Sequence, residues 1–222
     1  MRLRLFKDFS EMEHATLTLL KTHLQKASVN PFGVILPGGK TPLGVYATLA
    51  RNPVRISDSL RIILSDERYV PADSPESNYG KLRPMIHALG MGDSHVLRVH
   101  MELPLEKAAS RYDTVLRRYL RAGGRIPLGL LGLGADGHTA SLFNAKDILR
   151  GFGKFAIPVD RPDGLRAVSV TRDLLLHVDR LILAASGVEK GEVVHKLVDH
   201  PGSTPAGMAV EDIPNVEVWY AP

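Results

Sequence analysis

The sequence predicts an α/β fold: a three-layer sandwich around a largely parallel sheet. Three observations carry this. Short apolar runs of strand length alternate with longer segments of helical periodicity. One of those runs, Pro127 to Leu131, feeds directly into a glycine-rich turn, as strands do in βα units. The chain has 222 residues, of which 44 % are hydrophobic and 23 % charged, enough for one large core and ordinary for a globular protein. With no repeat, low-complexity tract or linker, a single α/β domain over residues 1–222 is expected.

The elements follow in order. Arg2 to Phe6 alternates apolar and polar residues and reads as a strand. Ser10 and Glu13 have capping-box spacing and open a helix to about Lys26. Phe32 to Leu36 is a buried strand. Pro42 suits the first position of a helix to about Arg51. Leu60 to Leu64 is a second buried strand. Glu76 to Leu89 is a helix in which Pro84 predicts a kink or break. His95 to Val99 is a short strand. Leu105 to Ala122 is the longest amphipathic helix, ended by Gly123-Gly124. Strands are then expected at Pro127 to Leu131, Phe155 to Val159, Arg166 to Thr171, Leu181 to Ala185 and Val216 to Tyr220. Val188 to Val198 is a helix.

Composition excludes several classes. The chain has no cysteine, which rules out disulfides and thiolate catalysis. The start, Met-Arg-Leu-Arg-Leu-Phe-Lys, lacks the apolar core of a signal peptide, and no apolar run reaches the length of a membrane span. A cytoplasmic protein is expected. The formal net charge of +4 suits an anionic small molecule as well as no partner. Arg117-Arg-Tyr-Leu-Arg121 reads as a solvated helix face, so no nucleic-acid partner is expected. The nine histidines show no metal-binding spacing, and no G-x-S-x-G elbow exists.

Four polar segments stand at strand ends. Gly38-Gly39-Lys40-Thr41 precedes a helix and offers backbone N–H groups and a hydroxyl to a phosphate. It is no P-loop, because Gly33 lies one position too far from Gly39; a plain turn would explain it equally. Asp66-Glu-Arg68 leaves a buried strand, with Ser77 and Asn78 close behind. Arg68 there could hold a carboxylate, phosphate or oxyanion, although a solvated strand end would look the same. Gly132-Leu-Gly-Ala-Asp-Gly-His-Thr-Ala-Ser-Leu-Phe143 puts Asp136 and His138 in a glycine turn after a strand. Its Gly132-x-Gly134-x-x-Gly137 spacing fits a dinucleotide fingerprint, with Asp160 downstream. Its place deep in the chain, and an acid and an imidazole where small residues belong, argue against that reading. Arg166 starts a strand and Lys190 sits in the first turn of a helix; either alone is an ordinary surface charge.

Taken in order, these segments resemble the 6-phosphogluconolactonase family. The related glucosamine-6-phosphate deaminases share the glycine loop and the Asp-Gly-His framework. Thr139, Ser141 and Arg68 favour the lactonase. Three departures stand out: Asn144 where proline is usual, Ser65 for a frequent tryptophan, and an atypical C-terminus, Trp219-Tyr-Ala-Pro222. The resemblance implies a Rossmann-like fold shared with sugar-phosphate isomerases and deaminases. It implies hydrolysis of 6-phospho-D-glucono-1,5-lactone in the pentose phosphate pathway, with no metal or cofactor, by a monomer or small homo-oligomer.

On that resemblance His138 is the base that deprotonates water, and Asp136 orients the loop or the imidazole. Arg68 meets the developing oxyanion or the sugar acid, and Asp66 orders it or binds hydroxyls. Gly39, Thr41, Arg166 and Lys190 hold the phosphate, within a binding set that also takes in Gly38, Lys40, Ser77, Asn78, Gly137, Thr139 and Ser141. A deaminase or isomerase would instead use Asp66 for proton transfer. A non-catalytic sugar-phosphate sensor would need only the phosphate cradle.

Overall fold

A computed structural model describes residues 1–222. The chain runs β1 (Arg2–Leu5), α1 (Phe9–Leu24), β2 (Phe32–Leu36), α2 (Leu43–Arg51), β3 (Leu60–Leu64), β4 (Asp66–Arg68), α3 (Asn78–Ala88) and β5 (Val96–Leu97). It continues α4 (Leu105–Arg121), β6 (Arg125–Gly132), α5 (Ala145–Arg150), β7 (Ala156–Asp160), β8 (Arg166–Val170) and α6 (Arg172–Leu175). The last elements are β9 (Leu181–Ser186), α7 (Gly191–Asp199), α8 (Pro205–Val210) and β10 (Val216–Ala221).

Seven strands form one sheet in the order β1-β10-β9-β6-β2-β3-β5, with every neighbouring pair parallel. Both faces are covered, so its inner strands are mostly apolar, with Arg61 of β3 and Glu217 of β10 among the exceptions. Successive side chains go to opposite faces. Val34 and Leu36 of β2 pack with Met12 of α1, Leu49 of α2 and Leu82 of α3. Ile35, between them, packs with Leu116 of α4 and Val194 of α7. Each such fully buried aliphatic contributes about 1.5–3 kcal/mol.

The largely parallel sheet expected from the sequence is present, and a second, three-stranded antiparallel sheet stands beside it. β7 and β8 leave the main sheet and pair antiparallel with each other, and β4 joins β8 antiparallel. β4 carries no apolar residue; its three charges are buried or half-buried by what packs around them rather than by periodicity.

Several boundaries also move. Asp8, not Ser10, caps α1: its backbone is extended and its side chain accepts from Glu11 N at 2.9 Å. Glu11 Oε2 in turn accepts from Lys7 N at 2.8 Å, so the reciprocal pair sits two residues earlier than expected. Pro42 stands just before α2, and α3 runs through Pro84 without interruption. The segment Val188–Lys190 is a 3-10 turn, so Lys190 precedes α7. Gly123, at φ +83°, ends α4, with Gly124 N donating to Tyr119 O at 3.1 Å. The atypical C-terminus is the buried strand β10, between β1 and β9.

Candidate active site

From β2 the chain steps outward to β3 and β5, then returns to β6 on the other side of β2 and continues to β9 and β10. The direction therefore reverses between β2 and β6. In open α/β sheets ligands bind beyond the carboxyl ends of the strands at such a point. The loops there are Pro37–Pro42 after β2 and Leu133–His138 after β6. Those after β3 and β9 flank them. Four segments far apart in sequence are thus brought to one end of the sheet.

The turn after β6 is built around its glycines. Gly134 N donates to His138 O at 2.9 Å, Gly137 N to Gly134 O at 3.0 Å, and Gly137 adopts φ +82°. Within the turn Nδ1 of His138 and Oδ1 of Asp136 are paired, and Oδ1 also accepts from His138 N at 3.2 Å. Burial alone would raise the Asp136 carboxyl, but the hydrogen bonds and charge of His138 outweigh it and hold it below the ordinary value. The pairing leaves Nε2 as the free ring nitrogen. Phe143 lies beside the imidazole, ring centroids 4.4 Å apart. Ala140 sits at φ +50°, a conformation costing a non-glycine residue about 1–2 kcal/mol.

Thr139 and Ser141 are fully buried. Thr139 Oγ1 donates to Gly132 O at 2.9 Å, closing the turn onto its strand. Ser141 Oγ donates to Asp66 Oδ2 at 2.7 Å, while Ser65 Oγ donates to Oδ1 at 2.7 Å. Both carboxylate oxygens of Asp66 are thereby occupied. Asn78 is buried and donates through Nδ2 to Asp66 O at 2.9 Å, with its side chain packed against Gly38. A side chain on residue 38 would collide with it, so the first glycine of the loop is there for close approach.

Glu67, which carries no signature in the sequence, anchors this region. Alternation along β4 turns it away from Asp66. Its carboxylate accepts from Asn78 N at 2.6 Å, Tyr79 N at 2.7 Å and Arg68 N at 2.9 Å, with Ser77 Oγ at 3.3 Å. Burial raises it to about 7 against the pull of those N–H groups. Arg68 Nη1 donates to Glu76 O at 3.0 Å, and its buried Nε donates to nothing in the chain.

Lys190 donates to Leu133 O, which places it beside the His138 turn. Burial lowers its ammonium, with Glu189 and Asp136 pushing the other way. Thr41 Oγ1 lies 3.4 Å from Ser186 Oγ, joining the loops after β2 and β9; Gly39 and Lys40 are more open. The Arg166 guanidinium stacks over Tyr69 at 5.1 Å, one residue from Arg68. No three His, Asp or Glu side chains converge to hold a metal ion.

Residues 7–219 match the family model described as glucosamine-6-phosphate isomerases/6-phosphogluconolactonase. The chain is 38 % identical to a 6-phosphogluconolactonase of Thermotoga maritima over 112 residues, 50 % of this chain and 49 % of that protein. It is 27 % identical to that of Treponema pallidum over 208 residues, 90 % of this chain and 86 % of the relative. In the first of these matches the chain spans about half the length of the curated relative. The crystal structure of the Thermotoga maritima 6-phosphogluconolactonase superimposes with a TM-score of 0.78 at 27 % identity, covering 99 % of this chain and 98 % of that one. The chain belongs to the glucosamine-6-phosphate isomerase and 6-phosphogluconolactonase family.

Proposed function

We propose that this protein hydrolyses 6-phospho-D-glucono-1,5-lactone to 6-phosphogluconate, with His138 as the general base. The observation that carries the reading is the Asp136–His138 pair at the crevice where the strand order reverses. Asp136 holds Nδ1–H, so Nε2 takes a proton from water as its oxygen attacks the lactone carbonyl. The tetrahedral intermediate then expels the ring oxygen, which receives that proton back from Nε2. A positioned base of this kind contributes about 10² to 10⁴-fold. Arg68, whose buried Nε has no partner in the chain, would meet the developing oxyanion. Lys190 and the Gly38–Thr41 loop would hold the phosphate and so fix the ring for attack.

The same geometry disfavours a deaminase. That chemistry would need Asp66 for proton transfer, yet both of its oxygens accept hydroxyl hydrogen bonds from Ser65 and Ser141. Ser141, Thr139 and Asn78 then act as supports of the site rather than as ligands of the phosphate.

A lactonase assay on freshly made 6-phosphogluconolactone, corrected for spontaneous hydrolysis, tests the proposal. A clear rate above background is expected, with kcat falling about 10² to 10⁴-fold in His138→Ala and KM little changed. A parent rate equal to background defeats the reading. Near-parent kcat in His138→Ala defeats the base assignment.

A further inference from the structure

The hairpin between β7 and β8 ends in a tight turn, Gly164 N donating to Arg161 O at 3.1 Å and Arg161 N to Leu165 O at 2.9 Å. The turn reaches the site from the second sheet. Arg161, only 10 % exposed, forms a forked pair with Asp163, with Nη2 2.7 Å from Oδ2 and Nε 3.1 Å from both oxygens. Its Nη1 donates to Ser141 Oγ at 3.1 Å. The guanidinium also lies 5.2 Å from the centre of the Phe143 ring.

Those two contacts lead to the two sides of the site. Ser141 Oγ in turn donates a hydrogen bond to Asp66 Oδ2 at 2.7 Å. Phe143 stands against the His138 imidazole at 4.4 Å. A single guanidinium therefore touches one neighbour of Asp66 and one neighbour of His138. Stacking on an aromatic face and a forked ion pair are what a planar guanidinium does and an ammonium does poorly. The arginine is held in turn by Asp163, whose carboxyl Arg161 keeps below the ordinary value.

We propose that Arg161 is a positioning residue for the hydrolysis proposed above, setting His138 through Phe143 and Asp66 through Ser141 from a hairpin of the second sheet. It acts on the reaction only through the side chains it holds. Its removal should therefore act on the chemical step more than on binding.

Arg161→Met keeps the apolar stem and removes the Ser141 donor and the cation on Phe143; Arg161→Lys restores the charge without the fork. In steady-state kinetics on the lactone, Arg161→Met should lose kcat on the order of 10- to 10²-fold with KM within about twofold, and Arg161→Lys should recover part of it. A ¹H–¹⁵N spectrum of the histidine rings in the full chain gives a readout independent of activity. The His138 signals, identified by their absence in His138→Ala, should shift in Arg161→Met and partly return in Arg161→Lys. Parent kcat together with unmoved His138 signals overturns the proposal, as does a raised KM at unchanged kcat. If the parent itself hydrolyses no lactone, the functional reading fails while the ring signals still decide the positioning role. Should Arg161→Met not fold, Arg161→Lys and Asp163→Asn at the exposed hairpin tip carry the test, and no shift in either overturns it.

Discussion

The His138 imidazole fills the space that a side chain on residue 134 would need. A Cβ there would run into Nδ1 of His138 and Oδ1 of Asp136. Gly134 is not among the residues with positive φ, so the glycine provides room rather than conformation. Gly134→Ala is expected to fold, because its backbone geometry tolerates a side chain. Its kcat should fall roughly 10- to 10²-fold, since the pair must shift to admit the methyl group. Parent-like kcat in that variant would show that the observed geometry of the pair is not required.

Asp136 should stay ionised across the neutral range. Burial raises its carboxyl, but the His138 contacts more than compensate. An acid limb in kcat/KM therefore does not arise from this carboxyl. Asp136→Asn offers an amide that can either accept from Nδ1–H or donate to a bare Nδ1, freeing the imidazole to take the wrong tautomer. A loss of roughly 10²-fold or more in kcat is expected, with the limb retained. Disappearance of the limb in Asp136→Asn would reassign it to the carboxylate.

How much was legible in the sequence depends on where each residue's role is decided. β2 and β3 end where their apolar runs end, because a strand buried on both faces is apolar over most of its length. The four loops were legible for the complementary reason: glycines and charges following a buried strand need a purpose. β4 was not legible, since Asp-Glu-Arg shows no periodicity and becomes a strand only by pairing with β8. Glu67 was hidden for the same reason. Its partners are backbone N–H groups at the start of α3, eleven and twelve residues on, and a carboxylate between two charged neighbours reads as surface. Arg161 carried no signal at all, because its role depends on a hairpin that brings the second sheet over Phe143. Thr139 and Ser141 were visible as a motif, but their hydroxyls point into the protein and are spoken for.

Two cations chosen together from the sequence should now behave differently. Lys190 lies beside the His138 turn, whereas Arg166 stacks on Tyr69. Lys190→Ala should raise KM roughly tenfold or more with little change in kcat, the loss of one charged hydrogen bond to a phosphate. Burial lowers the Lys190 ammonium, so its charge is lost at a lower pH than that of an ordinary lysine. KM should therefore rise with pH on the alkaline side in the parent, and that rise should be missing in Lys190→Ala. Arg166→Ala should have the smaller effect on KM. Equal effects from the two variants would place Arg166 on the phosphate after all.

Glu67 gives the stability of the fold a pH dependence whose sign is set by burial. Its carboxyl is raised from 4.5 to about 7 in the folded chain. Below the lower value it is protonated in both folded and unfolded chains. Between the two it is protonated only in the fold, so stability falls as pH rises through that window and levels off above it. A rise of that size corresponds to roughly 3.5 kcal/mol at ~1.4 kcal/mol per pH unit. Glu67→Gln cannot titrate, and its amide turns N–H groups toward the backbone donors of Asn78 and Tyr79. Urea denaturation should find the Gln variant least stable relative to the parent near about pH 5, with the gap narrowing by about pH 8 as the parent bears the cost of a buried charge. A gap that is the same at both ends would mean that Glu67 ionises alike in the folded and unfolded chains. The four hydrogen bonds to its carboxylate would then fully offset its burial.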